Sequence, residues 1–304
     1  MLGITGQASE TGMNVYPDHN FLIYCAQRPQ WRETVLNAHR SGRITVVMSA
    51  WHFYEYGNAS AYDDTAELIR FAEDLEPKWI IERGDLQLRE FIAVWNSIWG
   101  GPSVPFNPIC TLAEAGAKLN RVPVERMARY TIRDYVLAFS GAGDLDEIQA
   151  VMNAQTEVAK SNLGRYAADK AFDRVLPLTE LRHVACQLAR LEELIPDRVY
   201  RLAEKLLQQQ PISTQIQCFV DWCCTELLKA YKTEVAFTLD LYENKGTLGI
   251  NRQVDRQHAI PALAYCDVLV TDDEDLTRRC GRVKPKLKFT TAGVMTGEAF
   301  VNTL

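Results

Sequence analysis

Four acidic residues stand where an α/β chain concentrates its chemistry. Asp18 follows the apolar run Met13–Tyr16, Glu55 lies just beyond Ile44–Met48, and Asp273 closes Val268-Leu269-Val270-Thr271-Asp272-Asp273. Asp255 is expected to open the helix that feeds this last run, in VDRQHAIPALAYC. Short β-branched runs bounded by polar residues read as buried strands, and open α/β sheets bind ligands beyond the carboxyl ends of their strands. Carboxylates gathered there repel one another unless divalent cations sit among them, and an all-oxygen donor set favours magnesium or manganese over zinc. Two such ions can orient and deprotonate a water and stabilise the leaving oxygen during in-line attack on a phosphodiester. Asp272 is an alternative ligand to Asp273. Each acid also has a plainer role open to it: Asp255 and Asp273 as helix N-caps, Asp18 as a turn residue, Glu55 as a surface acid.

The elements that must position these acids can be read in order. Residues 1–12 are small and polar, a leader. Met13–Tyr16 is a strand, Gln30–Arg40 has helical spacing stopped by Ser41-Gly42, and Ile44–Met48 is a second strand, which makes a parallel strand–helix–strand unit. Ser49 is a candidate N-cap for the helix that carries Glu55. Asp63-Asp64-Thr65 caps a further amphipathic helix before the strand Trp79-Ile80-Ile81. From about Leu86 to about Tyr231 only helical periods appear, divided by turn signals such as Gly100-Gly101-Pro102 and Ile195-Pro196-Asp197, with one apolar stripe from Ile212 to Tyr231. Residues 240–252 read as a polar loop, Lys286–Thr291 alternates like a strand, and Val294–Phe300 reads as a closing helix. Pro261, in the second turn of a helix opened at Asp255, is expected to kink that helix or delay its start.

The formal charge of −6 argues against a generally basic nucleic-acid coat. Arg278, Arg279, Arg282, Lys284, Lys286 and Lys288 nevertheless follow Asp275 with no acid before Glu298, a basic strip that could hold a phosphate backbone or simply be a solvated face. The eight cysteines form no CxxC pair and read as reduced core thiols. No apolar run is long enough to span a bilayer and no signal sequence is visible, so the expected location is cytoplasmic, with no membrane partner. Trp51, Phe53, Tyr54 and Tyr56 read as core and rim, with His52 packed beside Trp51. No phosphate-binding glycine motif occurs, which weakens nucleotide-cofactor readings.

YPDHNFLIY, VVMSAWHFYE and DRQHAIPALAYCDVLVTDDEDL resemble, in order, the three acidic motifs of PIN-domain nucleases. The last is the most specific, since Asp255, His258 and Thr271-x-Asp273 match a helix carrying DxxH before a strand that closes on TxD. The resemblance covers residues 13–81 and 254–291. It implies a Rossmann-like parallel sheet flanked by helices, with PIN-like halves at 13–85 and 236–304 and a large all-helical insertion at 86–235. It also implies a magnesium- or manganese-dependent endonuclease, acting on RNA rather than DNA. Asp18, Glu55, Asp255 and Asp273 would be the metal-site acids, with Asn20, Thr271 and His258 as polar supports. Cleavage would leave a 5′-phosphate. Small members of the family are often toxins held by antitoxins, but this chain is larger, so a stand-alone defence or RNA-processing role is equally open. The helical middle would shape access to the site, bind a partner or mediate self-association. The rival readings are a catalytically silent PIN-like scaffold that binds protein or nucleic acid through its helical region, and a hydrolase of small phosphate esters.

Overall fold

The computed structural model describes residues 12–58, 62–87, 89–90, 93, 107–120, 122–141, 150, 153–154, 228–244 and 250–304. The leader at 1–11 and most of the Ile212–Tyr231 stripe lie outside them. Strands β1 (Met13–Pro17), β2 (Ile44–Met48) and β3 (Lys78–Ile80) alternate with helices α1 (His19–Gln27), α2 (Pro29–Arg40), α3 (Ala50–Asn58) and α4 (Tyr62–Leu75). The two-residue strand β4 (Ile109–Cys110) follows, so the stretch 86–235 is not all-helical: its alternation is too short to show in the sequence, and pairing with β3 makes it a strand. Then come α5 (Leu112–Asn120), α6 (Val124–Met127) and α7 (Ile132–Gly141). The last section holds α8 (Lys229–Glu243), α9 (Ile250–Tyr265), β5 (Val268–Val270), α10 (Glu274–Val283), β6 (Gly293–Met295) and α11 (Gly297–Val301).

The strands form one sheet in the order β4-β3-β2-β1-β5-β6, parallel throughout except for the antiparallel β3–β4 pair. The chain winds outward from β1 through β2 and β3, then returns to the other side of β1 with β5 and β6. The order of winding therefore reverses between β1 and β5, the point beyond whose carboxyl ends open α/β sheets bind ligands. The fold is α/β with a mostly parallel, Rossmann-like sheet.

Strand side chains alternate between two cores, as a sheet covered on both faces requires. Val15, Val46, Met48, Trp79, Val268 and Val270 face a core built with α1, α2, α4 and Phe300 of α11. Tyr16, Val47, Ile80 and Leu269 face the other, built with Phe237 of α8, Ile260 and Leu263 of α9, and Leu276 and Cys280 of α10. Cys25, Cys266 and Cys280 are free and buried and Cys110 is free and half-buried, in line with reduced thiols. No helix among the described residues is long and apolar enough to cross a membrane.

Further local expectations are corrected. The helix before β5 starts at Ile250, so Asp255 lies inside α9 rather than at its start. That helix also runs unbroken through Pro261, which is buried among Ala259, Ile260, Ala262 and Leu263. Proline interrupts one backbone hydrogen bond at a cost of about 3 kcal/mol, which burial of this apolar run offsets. The polar loop is shorter than residues 240–252, since α8 extends to Glu243. Finally, Lys286–Thr291 is not a strand. A 3-10 turn spans Lys284–Lys286, and the strand that pairs with β5 is Gly293–Met295, where Val294 is flanked by small or flexible residues that hid the pattern; the closing helix read from Val294 therefore begins only at Gly297, capped by Thr296.

Candidate functional site

Asp18 is placed by the end of β1 and the start of α1. Its backbone N–H donates to the Val270 carbonyl at 2.9 Å, which fixes it against β5. Its side chain caps α1, accepting from the Phe21 N–H at 2.8 Å, and its second oxygen accepts from the Thr271 hydroxyl. Thr271 also accepts from the Asp273 N–H at 3.1 Å, so one buried hydroxyl ties the β1 acid to the β5 loop across the winding reversal. Burial raises the Asp18 carboxyl to about 6. The Thr271 and Phe21 hydrogen bonds pull it down, and the Glu55 charge adds to the rise.

Glu55 comes from α3 and meets two imidazoles. His258 Nε2 lies 2.9 Å from its Oε2, and His19 Nδ1 lies 3.8 Å from the same oxygen. All three atoms are buried, and none makes a well-aligned hydrogen bond. The His258 contact is therefore a close charge pair more than a directed bond. Burial opposes the charge on His258, but Glu55, with Asp18 and Asp255 behind it, raises its pKa. Burial would likewise raise Glu55, but His258 and His19 hold it below the usual range. His19 itself is lowered by burial. Behind His258 stands Tyr16, whose phenol lies 2.7 Å from both His258 Nδ1 and the Ser49 hydroxyl. With both ring nitrogens of His258 protonated, Nδ1 donates to Tyr16, which in turn donates to Ser49. Ser49 thus ends a buried polar chain, while its N–H donates to His52 Nδ1 at 3.0 Å.

Asp255 projects from α9. It lies 4.0 Å from Arg279, a buried guanidinium that also covers the Phe237 ring at 5.4 Å. Burial and the neighbouring Asp273 push Asp255 up to about 7 against the pull of Arg279. Asp273 caps α10, accepting from the Leu276 N–H at 2.7 Å, so its plainer role is realised. Asp272 accepts from the Gly297 N–H at 3.0 Å and is committed to the start of α11.

The sheet edge thus brings Asp18, Glu55, Asp255 and Asp273 within each other's electrostatic reach, with Thr271 and His258 as supports. Asn20 is exposed in the first turn of α1 and, among the described residues, no hydrogen bond joins it to Asp18. The basic residues do not form one open strip. Arg279 is turned inward, Arg282 grips Asp240 at 2.6 and 2.9 Å, and Lys284 donates to the Ala292 carbonyl at 2.7 Å. Arg278, Lys286 and Lys288 are exposed. His52 is not packed beside Trp51; it is fully buried against Tyr16 and His258, with Nε2 at 3.0 Å from the Pro17 carbonyl. His19 and Tyr16 escaped the sequence reading as site residues, and Ser49, read there as an N-cap, has its hydroxyl 2.7 Å from the Tyr16 phenol. The one available signal was that three of only five histidines fall beside acidic motifs.

The donor types suit a hard divalent cation, but the positions do not. Among the described residues no three acids, histidines or cysteines are grouped so as to hold one ion. Each acid is instead bound to a donor or a charge of the protein itself. Searched against protein-family models, curated proteins and solved structures, the chain matches none.

Proposed function

We propose that the chain is a nuclease of the PIN type, hydrolysing phosphodiesters of RNA at the carboxyl edge of its sheet. The observation that carries this reading is the Asp18–Thr271–Asp273 link across the winding reversal, with Glu55 and Asp255 coupled to it electrostatically. Carboxylates from four separate elements lie along one sheet edge, where burial first, and the neighbouring acids after it, raise Asp18 and Asp255 toward neutrality, a pattern that marks functional sites. In the arrangement described, a carboxyl that titrates near 7, as Asp255 does, is suited to take a proton from an attacking water. The water oxygen bonds to phosphorus, the 3′-oxygen departs, and the product keeps a 5′-phosphate. His258, held by Glu55 and Tyr16, and Arg279 supply positive charge beside that edge. Magnesium or manganese is part of the proposal only through the resemblance, and no step above depends on it.

The test is cleavage of labelled single-stranded RNA and DNA with manganese, with magnesium and with EDTA, comparing wild type with Asp18→Asn and Asp273→Asn. Metal-dependent cutting lost in both variants supports the reading. A second reading, the catalytically silent scaffold, is favoured by the absence of an ion-ready group and by the imidazoles seated on Glu55. Wild-type protein inert on both polymers and silent to manganese in calorimetry would decide for the scaffold.

A further inference from the structure

Outside the acid edge, basic charge gathers in residues 118–133, where KLNRVPVERMARYTIR carries five basic residues against one acid in a chain of net charge −6. The described part of this segment is the α6–turn–α7 unit. Met127, Ile132 and Tyr135 anchor it inward, while Arg126, Arg129, Tyr130 and Arg133 are exposed. Among the described residues none of these three arginines forms an ion pair with a carboxylate within 4 Å. Arg129 lies over the Tyr130 ring at 5.4 Å, which leaves a cationic aromatic platform at the surface. The large apolar side chains exposed among the described residues, Val124, Tyr130 and Leu137, all belong to this same unit. The unit is also fastened to the helix that carries Glu55, since Tyr135 stacks on Phe53 of α3 at 5.0 Å and 8°.

We propose that the α6–α7 face is a binding track for single-stranded RNA, with Arg126, Arg129 and Arg133 on successive phosphates and Tyr130 stacked on a base. Charge complementarity favours a polyanion, since the three guanidinium groups are exposed and, among the described residues, form no ion pair with a carboxylate within 4 Å. The exposed aromatic selects a single strand over a duplex, because unpaired bases offer a π-face and paired ones do not. This rests on the nuclease reading and adds to it where the polymer lies: on α6–α7 rather than on the C-terminal basic residues.

The test is fluorescence anisotropy of a labelled single-stranded oligoribonucleotide on the full chain in EDTA, as a function of salt. Three proteins are compared: wild type, the triple variant R126Q/R129Q/R133Q, and the control R278Q/K286Q/K288Q. The α6–α7 variant is expected to bind at least about tenfold more weakly, with the slope of log affinity against log salt reduced by about 2. Tyr130→Ala alone should weaken binding roughly tenfold with little change in slope. The control should match wild type in both. Unchanged circular dichroism and thermal midpoint verify that the exposed substitutions leave the fold intact. Loss of binding in the control but not in the α6–α7 variant overturns the proposal, as does wild type that binds no RNA, or a variant altered only in oligomeric state. The two readings fail separately: binding through α6–α7 without cleavage sinks the nuclease and leaves the track standing, whereas cleavage with unaltered binding in the α6–α7 variant sinks the track alone.

Discussion

His258 is almost wholly buried, which pulls its pKa down, yet Glu55 at 2.9 Å raises it overall, while Tyr16 stands at 2.7 Å on the other side of the ring. A buried pair of this kind adds little net stability but is costly to break from one end. His258→Ala should therefore destabilise by roughly 3 kcal/mol in urea unfolding, by stranding the Glu55 charge. His258→Ala combined with Glu55→Gln should cost clearly less than the two single changes added together. Additive losses would show that the contact is not a charge pair. Asp255 gives the opposite sign. Its folded pKa of about 7 exceeds the ordinary 3.8, so ionising it in the fold costs free energy as pH rises through that window. Asp255→Asn should stabilise the protein at pH 8 by on the order of 2 kcal/mol, the lost attraction to Arg279 offsetting part of a larger gain. At pH 4 the same substitution should be close to neutral. An acid kept at a cost to the fold is what a functional site entails.

Two of the candidate acids also do the work of helix starts. Asp273 satisfies the Leu276 N–H at the head of α10, and Asp18 does the same for Phe21 in α1. Capping and chemistry separate under substitution, because asparagine caps nearly as well as aspartate but carries no charge. Asp273→Ala should lower stability by about 1 kcal/mol and Asp273→Asn by only a few tenths. If Asp273 serves cleavage, both must abolish it. Cutting that survives in Asp273→Asn would confine this residue to its structural role. The same logic explains why isolated motifs were ambiguous: a polar residue at the end of a strand and the start of a helix meets both demands with one side chain.

Across the described residues, four carboxyls share a direction, Glu82 among them, raised by burial. Asp18 is raised to about 6 and Asp255 to about 7, as already described. Glu90 is also raised to about 7, by burial against hydrogen bonds from Tyr265 and from the Ala230 and Tyr231 N–H groups that open α8. In each the fold binds a proton that the unfolded chain has released, so stability is fully present below pH 4 and is lost as pH rises toward 7. Glu55 works the other way: its lowered pKa contributes above the ordinary 4.5 and is lost in acid. His258, being raised, contributes below 6.5 and is lost above its folded pKa. His19, His39 and His52, lowered by burial, contribute above 6.5 and are lost in acid. Substitution separates the two groups: in Asp255→Asn the thermal midpoint should fall less, or rise more, between pH 6 and pH 8 than in wild type, measurable by calorimetry. An identical profile in the two proteins would contradict the raised carboxyl.

The sequence by itself determined the periodic elements. Ile44–Met48, Val268–Val270 and the helix around Gln30–Arg40 announced themselves because burial on one stripe or both faces imposes a local pattern. It also marked Asp18, Glu55, Asp255 and Asp273, since their positions relative to those elements are local too. What only the tertiary structure decided is how side chains far apart in sequence pair. The Thr271 hydroxyl on Asp18 and the Tyr16–His258–Glu55 chain join residues from opposite ends of the sequence, and the Arg279 contact with Asp255 joins two separate helices. No spacing rule links positions 18 and 271; strand order brings them together. The start of α9 at Ile250 and the seating of buried Pro261 were decided the same way, by packing against α8 and the sheet, whose apolar burial outweighs the local cost of proline.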